Sequence, residues 1–191
     1  MIYLDNAATT LYKPRAVEQA VRRAMYGAAG YARGGYAAAS RAGELVYACR
    51  EQAAALFGVG EPERVIFTLN ATHALNIAVN ALVAPDSRII VSGYEHNAVM
   101  RPLTARNIEP TVLDTPLWDG AAMVSALKQA LVQGADLMIL SHVSNVFGSI
   151  APLDEIAELL TAAGVPLILD ASQSAGVAEI DVKRYPCLAA V

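Results

Sequence analysis

The sequence contains few charged residues, few aromatic residues and no excess of positive charge. Charged residues make up 17% and aromatic residues 6% of the 191 positions, whereas 55% of the positions are apolar. So little charge in so apolar a chain excludes an intrinsically disordered protein, which combines low hydrophobicity with high net charge. The net charge is −4 and no basic stripe is present, so we expect no nucleic-acid partner.

Cysteines and long apolar runs are also scarce. The two cysteines, Cys49 and Cys187, lie far apart and form no CxxC pair, so we expect neither a disulfide framework nor a metal site. Two such cysteines fit a reducing compartment, and we expect a cytoplasmic protein. The first residues lack the basic start and apolar run of a signal peptide, and no uncharged apolar stretch reaches the roughly 18 residues of a transmembrane helix.

The apolar residues that are present alternate between strand-like and helix-like patterns. Short β-branched runs predict strands at 64–69, 88–92, 110–113, 136–141 and 165–169. Longer stretches with helical periodicity predict helices at 14–26, 40–57, 72–83, 97–106, 121–132 and 153–163. This alternation predicts a three-layer α/β fold, in which helices cover both faces of a mostly parallel sheet. A sheet of this kind, or a large subunit interface, would bury the apolar excess.

Local signals predict where the elements and domains begin and end. We expect residues 1–30 to form an N-terminal segment with one helix, and residues 31–191 to form the α/β domain. Ser40 is the expected N-cap of the second helix, and Gly58 is its expected stop. Residues 185–191 resemble the start of a further strand.

Polar residues cluster where the predicted strands end. They lie in four segments, at 70–73, 95–97, 141–145 and 170–173. In open α/β sheets ligands bind beyond the carboxyl ends of the strands, so each segment is a candidate binding segment. The first precedes a helix, whose N-terminal N–H groups favour an anion such as phosphate. Asp170 ends an apolar strand, where a carboxylate is costly to bury unless a cation pairs with it.

Each candidate residue has both a functional and a structural explanation. His96 could stack on a ligand ring or transfer protons, and Asn145 could donate a hydrogen bond to a ligand. Alternatively, Asn70 or Thr72 could cap a helix, and His96 could be an ordinary loop residue. Asn145 could belong to a turn, and Asp170 could cap one. These groups together suit a phosphorylated heteroaromatic cofactor such as pyridoxal 5′-phosphate. They would be a phosphate-binding turn, a histidine that stacks on the ring, an asparagine that donates a hydrogen bond and an acid that pairs with a ring nitrogen.

The same segments resemble motifs of the cysteine desulfurases, which are class V aminotransferases of fold type I. Residues 3–10, Tyr-Leu-Asp-Asn-Ala-Ala-Thr-Thr, are similar to the opening motif of that family. Residues 68–72 resemble its phosphate-binding turn, and residues 95–97 resemble the segment that carries a ring-stacking histidine. Residues 142–148 and 170–176 resemble the segments whose Asn and Asp contact the cofactor. The similarity covers essentially the whole chain and corresponds to the N-terminal portion of the family's proteins.

The resemblance implies roles in binding pyridoxal 5′-phosphate. Ala71 and Thr72 would hold the phosphate. His96 would stack on the pyridine ring and take part in acid/base steps. Asn145 and Gln173 would contact the cofactor oxygen.

The resemblance also implies a catalytic role for Asp170. It further implies that the family's Schiff-base lysine has no counterpart in these 191 residues. Asp170 would keep the pyridine nitrogen protonated, because a cationic ring accepts the electrons released when a substrate bond breaks. Residues 31–191 would form the cofactor-binding large domain, truncated before the family's Schiff-base lysine. None of Lys13, Lys128 and Lys183 matches the motif of that lysine. We therefore expect the 191-residue chain alone to be inactive.

The activity that the resemblance implies is that of a cysteine desulfurase, which converts cysteine to alanine and enzyme-bound sulfur. One alternative is another class V enzyme, such as a selenocysteine lyase or an aminotransferase. A second alternative is a non-catalytic fragment that retains only the fold core. The resemblance further implies a small amino-acid substrate, a homodimer and a sulfur-acceptor protein, and no membrane partner is expected.

Overall fold

The computed structural model describes residues 2–191, and the chain divides into two compact units, Met1–Ile66 and Phe67–Val191. The first unit contains the helices α1 (Arg15–Gly27) and α2 (Ala37–Phe57), followed by a 3₁₀ turn at Pro62–Arg64. Both helices were predicted, with boundaries that differ from the observed ones by at most about three residues. No helix among residues 2–191 has the length and apolar character that a membrane span requires.

The two ends of α2 compare differently with the prediction. Gly58 ends the helix as expected, with a left-handed φ of 69° that costs a glycine little. The prediction that Ser40 caps the helix is wrong, because the helix begins at Ala37 and Tyr36 occupies the N-cap position. The alanines at 37–39 are strong helix formers, so the helix extends past the serine towards the N-terminus.

The predicted strand at 64–69 is also wrong. Arg64 lies in the 3₁₀ turn, and the residues after it join no ladder of the five-stranded sheet. Ile66 and Leu69 are 77% and 85% exposed. Their β-branched and apolar character is typical of a strand, but a strand also needs a neighbour with which to exchange hydrogen bonds. In the described part of the chain this segment lies outside the five-stranded sheet.

The second unit is built around a parallel sheet. Its strands are β1 (Ile89–Ser92), β2 (Thr111–Leu113), β3 (Leu137–Ser141), β4 (Leu167–Asp170) and β5 (Cys187–Ala190). They lie in the order β2-β1-β3-β4-β5, and every neighbouring pair is parallel. The connecting helices are α3 (Ala71–Leu82), α4 (Asn97–Ala105), α5 (Gly120–Val132) and α6 (Leu153–Ala163). A 3₁₀ turn at Val182–Arg184 precedes β5, the further strand that the sequence predicts.

Both faces of the sheet are buried, as the apolar strands predict. Helices α3 and α4 share one core with Ile89 and Val91 of β1 and Ile139 of β3. The intervening residues Ile90 and Met138 point to the opposite face because side chains alternate along a strand. They are no more than 2% exposed, so this face is covered as well, on the side of α5 and α6. The α/β fold with a parallel sheet is therefore confirmed.

Candidate functional site

The predicted site residues meet in one cleft at the carboxyl edge of the sheet. The strand order reverses between β1 and β3, since β2 lies on one side of this pair and β4 and β5 on the other. Open α/β sheets bind ligands outside such a reversal. A cleft of about 190 Å³ lies there. Its lining includes all six residues of the predicted site: Ala71, Thr72, His96, Asn145, Asp170 and Gln173.

One wall of the cleft is the N-terminus of α3. Asn70 caps this helix by accepting a hydrogen bond from the His73 N–H at 2.8 Å. The cap interpretation of Asn70 is thus confirmed. It leaves Ala71 and Thr72 in the first turn and on the cleft wall. Because N–H groups of a first turn have no partner within the helix and carry the positive end of its dipole, this wall favours an anion.

His96 lies at the N-terminus of α4 and borders the same cleft. It is the N-cap residue, and its Nδ1 accepts a hydrogen bond from the Ala98 N–H at 3.0 Å. A nitrogen that accepts a hydrogen bond carries no proton, so the proton of the neutral ring is assigned to Nε2. The ring is therefore held at one edge while its exposed part lines the cleft.

Asn145 and Gln173 are brought to the cleft by the loops that follow β3 and β4. The first loop turns back at Gly148, which has a φ of 67° and donates its N–H to the Ser144 carbonyl at 2.9 Å. Asn145 lies inside this turn and is exposed, whereas Gln173 is half-buried. The turn interpretation of Asn145 is correct, and the same turn brings its amide to the cleft lining.

Asp170 is the buried carboxylate of the cleft. Only 6% of the residue is exposed, and its Oδ1 accepts hydrogen bonds from the Ser172 N–H at 2.9 Å and the Ser172 hydroxyl at 2.5 Å. The carboxylate therefore does cap the turn that follows β4. No ion pair found within residues 2–191 includes Asp170. A buried carboxylate that lines a cleft without a cation suits a cationic ligand group.

A second carboxyl group lies behind the cleft, and the sequence reasoning assigned it no role. Glu95 follows β1 and joins the ends of β1 and β3, because it is hydrogen-bonded to the Ser92 hydroxyl at 2.7 Å and to the Ser141 N–H at 2.9 Å. Although part of the residue reaches solvent, the carboxyl group is enclosed. This burial raises the pKa of Glu95. The hydrogen bonds from Ser92 and Ser141 lower the pKa in part, and the nearby charge of Asp170 raises it further.

Ser141 links the two carboxyl groups. It is paired with Asp170 in the register of β3 and β4, and its hydroxyl lies 2.7 Å from Glu95 Oε2 and 3.5 Å from Asp170 Oδ2. The sequence signal for this arrangement is a polar residue at the end of each of two apolar strands. These contacts were not predictable without the register, because Ser141 is separated from Asp170 by 29 positions and from Glu95 by 46.

His142, in the same predicted segment, does not line the cleft. Side-chain alternation at the end of β3 directs it away from Ser141. It is 7% exposed, and its Nδ1 is buried without a hydrogen-bond partner among the described residues. Burial lowers the pKa of His142, and the charge of Asp154 opposes this shift. His142 therefore belongs to the packing around α6 rather than to the site.

The chain is similar to known cysteine desulfurases. It is 34% identical to the cysteine desulfurase IscS of Shewanella loihica, in an alignment that covers 96% of the chain and 47% of that protein. It is 33% identical to a probable cysteine desulfurase of Chlamydia muridarum, with 96% of the chain and 48% of that protein covered. The apo structure of the cysteine desulfurase from Thermococcus onnurineus NA1 superposes with a TM-score of 0.85 at 27% identity, over 97% of the chain and 48% of that structure.

The extent of these matches is the same in sequence and in structure. The chain spans about half the length of the curated relatives it matches. The sequence profile of the family described as Aminotransferase class-V matches residues 2–191, which is nearly the whole chain. The chain therefore belongs to the class-V aminotransferase family.

Proposed function

We propose that the chain provides the cofactor-binding part of a pyridoxal 5′-phosphate-dependent cysteine desulfurase. The names of its relatives support the activity. The observation that supports the cofactor most directly is Asp170, a buried carboxylate that lines the cleft and belongs to no ion pair of the described residues. A pyridinium N–H is a cation of the size and hydrogen-bonding character that this carboxylate would pair with.

The remaining lining residues fit the other parts of the cofactor. The first turn of α3, with Ala71 and Thr72, would bind the phosphate through backbone N–H groups and the threonine hydroxyl. His96 would stack on the ring, and its Nε2 proton faces away from the hydrogen bond that fixes Nδ1. Asn145 and Gln173 carry amide donors suited to an anionic oxygen on the ring.

The roles of these residues in the reaction follow from their chemistry. The bound cofactor supplies an electron sink for cleavage of substrate bonds. Asp170 would hold the proton on the ring nitrogen, and Ser172 orients that carboxyl group through two donated hydrogen bonds. His96 would exclude water from one ring face, and it would donate its Nε2 proton and take it back.

The proposal extends to substrate, assembly and location. The substrate is cysteine and the products are alanine and sulfur held on the enzyme, which passes to an acceptor protein. The active form is a homodimer, for which the apolar excess of the sequence gives support. A cytoplasmic location is part of the same proposal, and it is supported by the two free cysteines, Cys49 and Cys187.

Binding of cofactor fragments tests the proposal on the chain itself. We expect pyridoxamine 5′-phosphate to bind in a calorimetric titration, and pyridoxamine and inorganic phosphate each to bind more weakly. We expect Asp170→Asn to weaken the binding of pyridoxamine 5′-phosphate and to leave the binding of inorganic phosphate unchanged, because only the ring would contact this carboxylate. Equal effects on both ligands, or no binding of the phosphorylated ligand to the wild-type chain, would contradict the proposal.

The positions of the lysines favour a second candidate, a cofactor-binding chain without catalytic activity of its own. Lys13 precedes α1, Lys128 lies in α5 and Lys183 lies in the 3₁₀ turn before β5. Lys128 and Lys183 do not line the cleft, and Lys13 belongs to the other unit. We expect borohydride treatment with pyridoxal 5′-phosphate to trap no stoichiometric adduct on any one lysine, and the chain alone to form no alanine from cysteine. A single trapped lysine in the peptide map would instead support a catalytic chain.

A further inference from the structure

The hydrogen bonds around Glu95 distinguish its two oxygens. The Ser92 hydroxyl lies 2.7 Å from Oε1, and the Ser141 nitrogen lies 2.9 Å from Oε1 and 3.0 Å from Oε2. Ser92 itself accepts a hydrogen bond from the Tyr94 N–H at 3.2 Å, which leaves its own proton for Glu95. The Ser92 hydroxyl is thus a donor to Oε1 alone, whereas the two oxygens share the Ser141 N–H, so Oε1 is the oxygen that suits the carbonyl of a carboxylic acid.

The other oxygen, Oε2, shares the Ser141 hydroxyl with Asp170. This hydroxyl has one hydrogen and lies between two carboxyl groups, 2.7 Å from Glu95 and 3.5 Å from Asp170. If both groups were ionised, the hydrogen would satisfy one carboxylate and the serine lone pairs would face the other. If Glu95 is protonated at Oε2, it donates to Ser141, whose own hydrogen then points to Asp170.

Asp170 borders the cleft, whereas the Glu95 carboxyl group is enclosed behind it. The Asp170 Oδ1 accepts two hydrogen bonds from Ser172. Two carboxyl groups that share a site do not both ionise readily. The raised pKa of Glu95, caused first by burial and increased by the charge of Asp170, agrees with this division.

We propose that Glu95 is a neutral carboxylic acid that orients Ser141 and thereby leaves Asp170 as the single carboxylate of the cleft. Glu95 is thus a positioning residue that acts on the ring-binding carboxylate from behind. Its role towards the cofactor rests on the function proposed above. The protonation state itself can be tested on the chain without any ligand.

Carboxyl ¹³C NMR tests the protonation state. The Glu95 signal is identified by its loss in Glu95→Gln, and the exposed Glu109 serves as the internal reference. At a pH about one unit above the ordinary glutamate value of about 4.3, we expect the Glu95 signal to keep the shift of a protonated carboxyl group. A Glu95 signal with the shift of a carboxylate at that pH would overturn the inference.

Ring-¹⁵N-labelled pyridoxamine 5′-phosphate tests the effect on Asp170. Glutamine is neutral and donates an N–H from the position of Oε2, so we expect Glu95→Gln to retain wild-type affinity within about two-fold and a protonated ring nitrogen. Glu95→Ala and Ser141→Ala each remove a hydrogen bond that positions Asp170, so we expect binding to weaken by up to about ten-fold, the equivalent of the roughly 0.5–1.5 kcal/mol of an ordinary hydrogen bond, and the ring nitrogen to shift towards its neutral form.

The controls separate this inference from the proposed function. Glu109→Gln removes one exposed negative charge, and we expect it to change nothing. Equal weakening by Glu95→Gln and Glu95→Ala would show that Glu95 acts as a charge, and would overturn the inference. Failure of the wild-type chain to bind pyridoxamine 5′-phosphate would overturn the proposed function and the cofactor role of Glu95, while the NMR result would still decide whether Glu95 is protonated.

Discussion

The N-cap of α3 offers a perturbation whose effects on stability and on ligand binding can be separated. Asn70 accepts one hydrogen bond from the His73 N–H at 2.8 Å. Replacing an N-cap asparagine with alanine costs about 1 kcal/mol. Asn70→Ala loosens the first turn of the helix, so a ligand that binds to this turn must first restore the turn. The affinity of that ligand should therefore fall by up to the same 1 kcal/mol, or about five-fold.

Asp119 provides a matched control. It caps α5 in the same way, accepting from the Ala122 N–H at 2.8 Å, but it does not line the cleft. Asp119→Ala also removes a negative charge from a helix N-terminus, which adds about 0.3–1 kcal/mol to the loss. It should therefore destabilise the chain at least as much as Asn70→Ala without changing ligand affinity.

The assay combines urea unfolding with a calorimetric titration of pyridoxamine 5′-phosphate. Unfolding is followed by far-ultraviolet circular dichroism, because Trp118, the sole tryptophan, is adjacent to Asp119 and would report on that variant directly. We expect lower urea midpoints for both variants and weaker binding for Asn70→Ala alone. Equal loss of affinity in both variants would refute the reasoning, and so would unchanged affinity in Asn70→Ala.

Three further predictions concern single side chains. Thr72→Val removes a hydroxyl that would donate to a charged phosphate, so pyridoxamine 5′-phosphate should bind about ten-fold or more weakly, by roughly 1.5–3 kcal/mol, while unphosphorylated pyridoxamine is unaffected. In an active enzyme, Asp170→Ala should lower turnover by at least about 100-fold, or about 2.7 kcal/mol, and near-normal turnover would refute its role. The pKa of His142 is lowered by burial, so the unfolded chain binds the proton first and stability falls as the pH drops below about 6.5, the ordinary histidine value. As the pH is lowered below about 6.5, urea midpoints should therefore decline less in His142→Gln than in the wild-type chain.

The sequence allows most elements of the second unit to be predicted, because each depends on a local pattern. The helix at 153–163 has the predicted bounds, and the neighbouring elements differ by a residue or two at their ends. The two failures have different causes. The apolar segment at 64–69 has strand propensity but lies outside the five-stranded sheet, so propensity alone misleads. The α2 cap was misplaced because the alanines at 37–39 continue the helix beyond Ser40.

The candidate site could be predicted residue by residue but not as a network. The six predicted residues in the cleft lining follow from polar segments at strand ends and from the family resemblance, and the parallel sheet brings them together. Glu95 and Ser141 lie in two of those segments, but their contact could not be predicted, since it depends on the placement of β1 beside β3. Sequence patterns locate groups that face a ligand more readily than groups that act on other side chains.

The register of the sheet explains why the polar residues after β3 have different environments. Ser141 is paired with Asp170 and shares its face of the sheet, so its hydroxyl lies beside that carboxylate at the cleft. His142, one residue later, points to the other face, where it is buried without a partner for Nδ1 among the described residues. A shift of β3 by one residue would exchange the two side chains and place an imidazole next to Asp170. The resulting ion pair would occupy the carboxylate that is proposed to bind the ring nitrogen, so the register of β3 with β4 preserves the binding chemistry as well as the core.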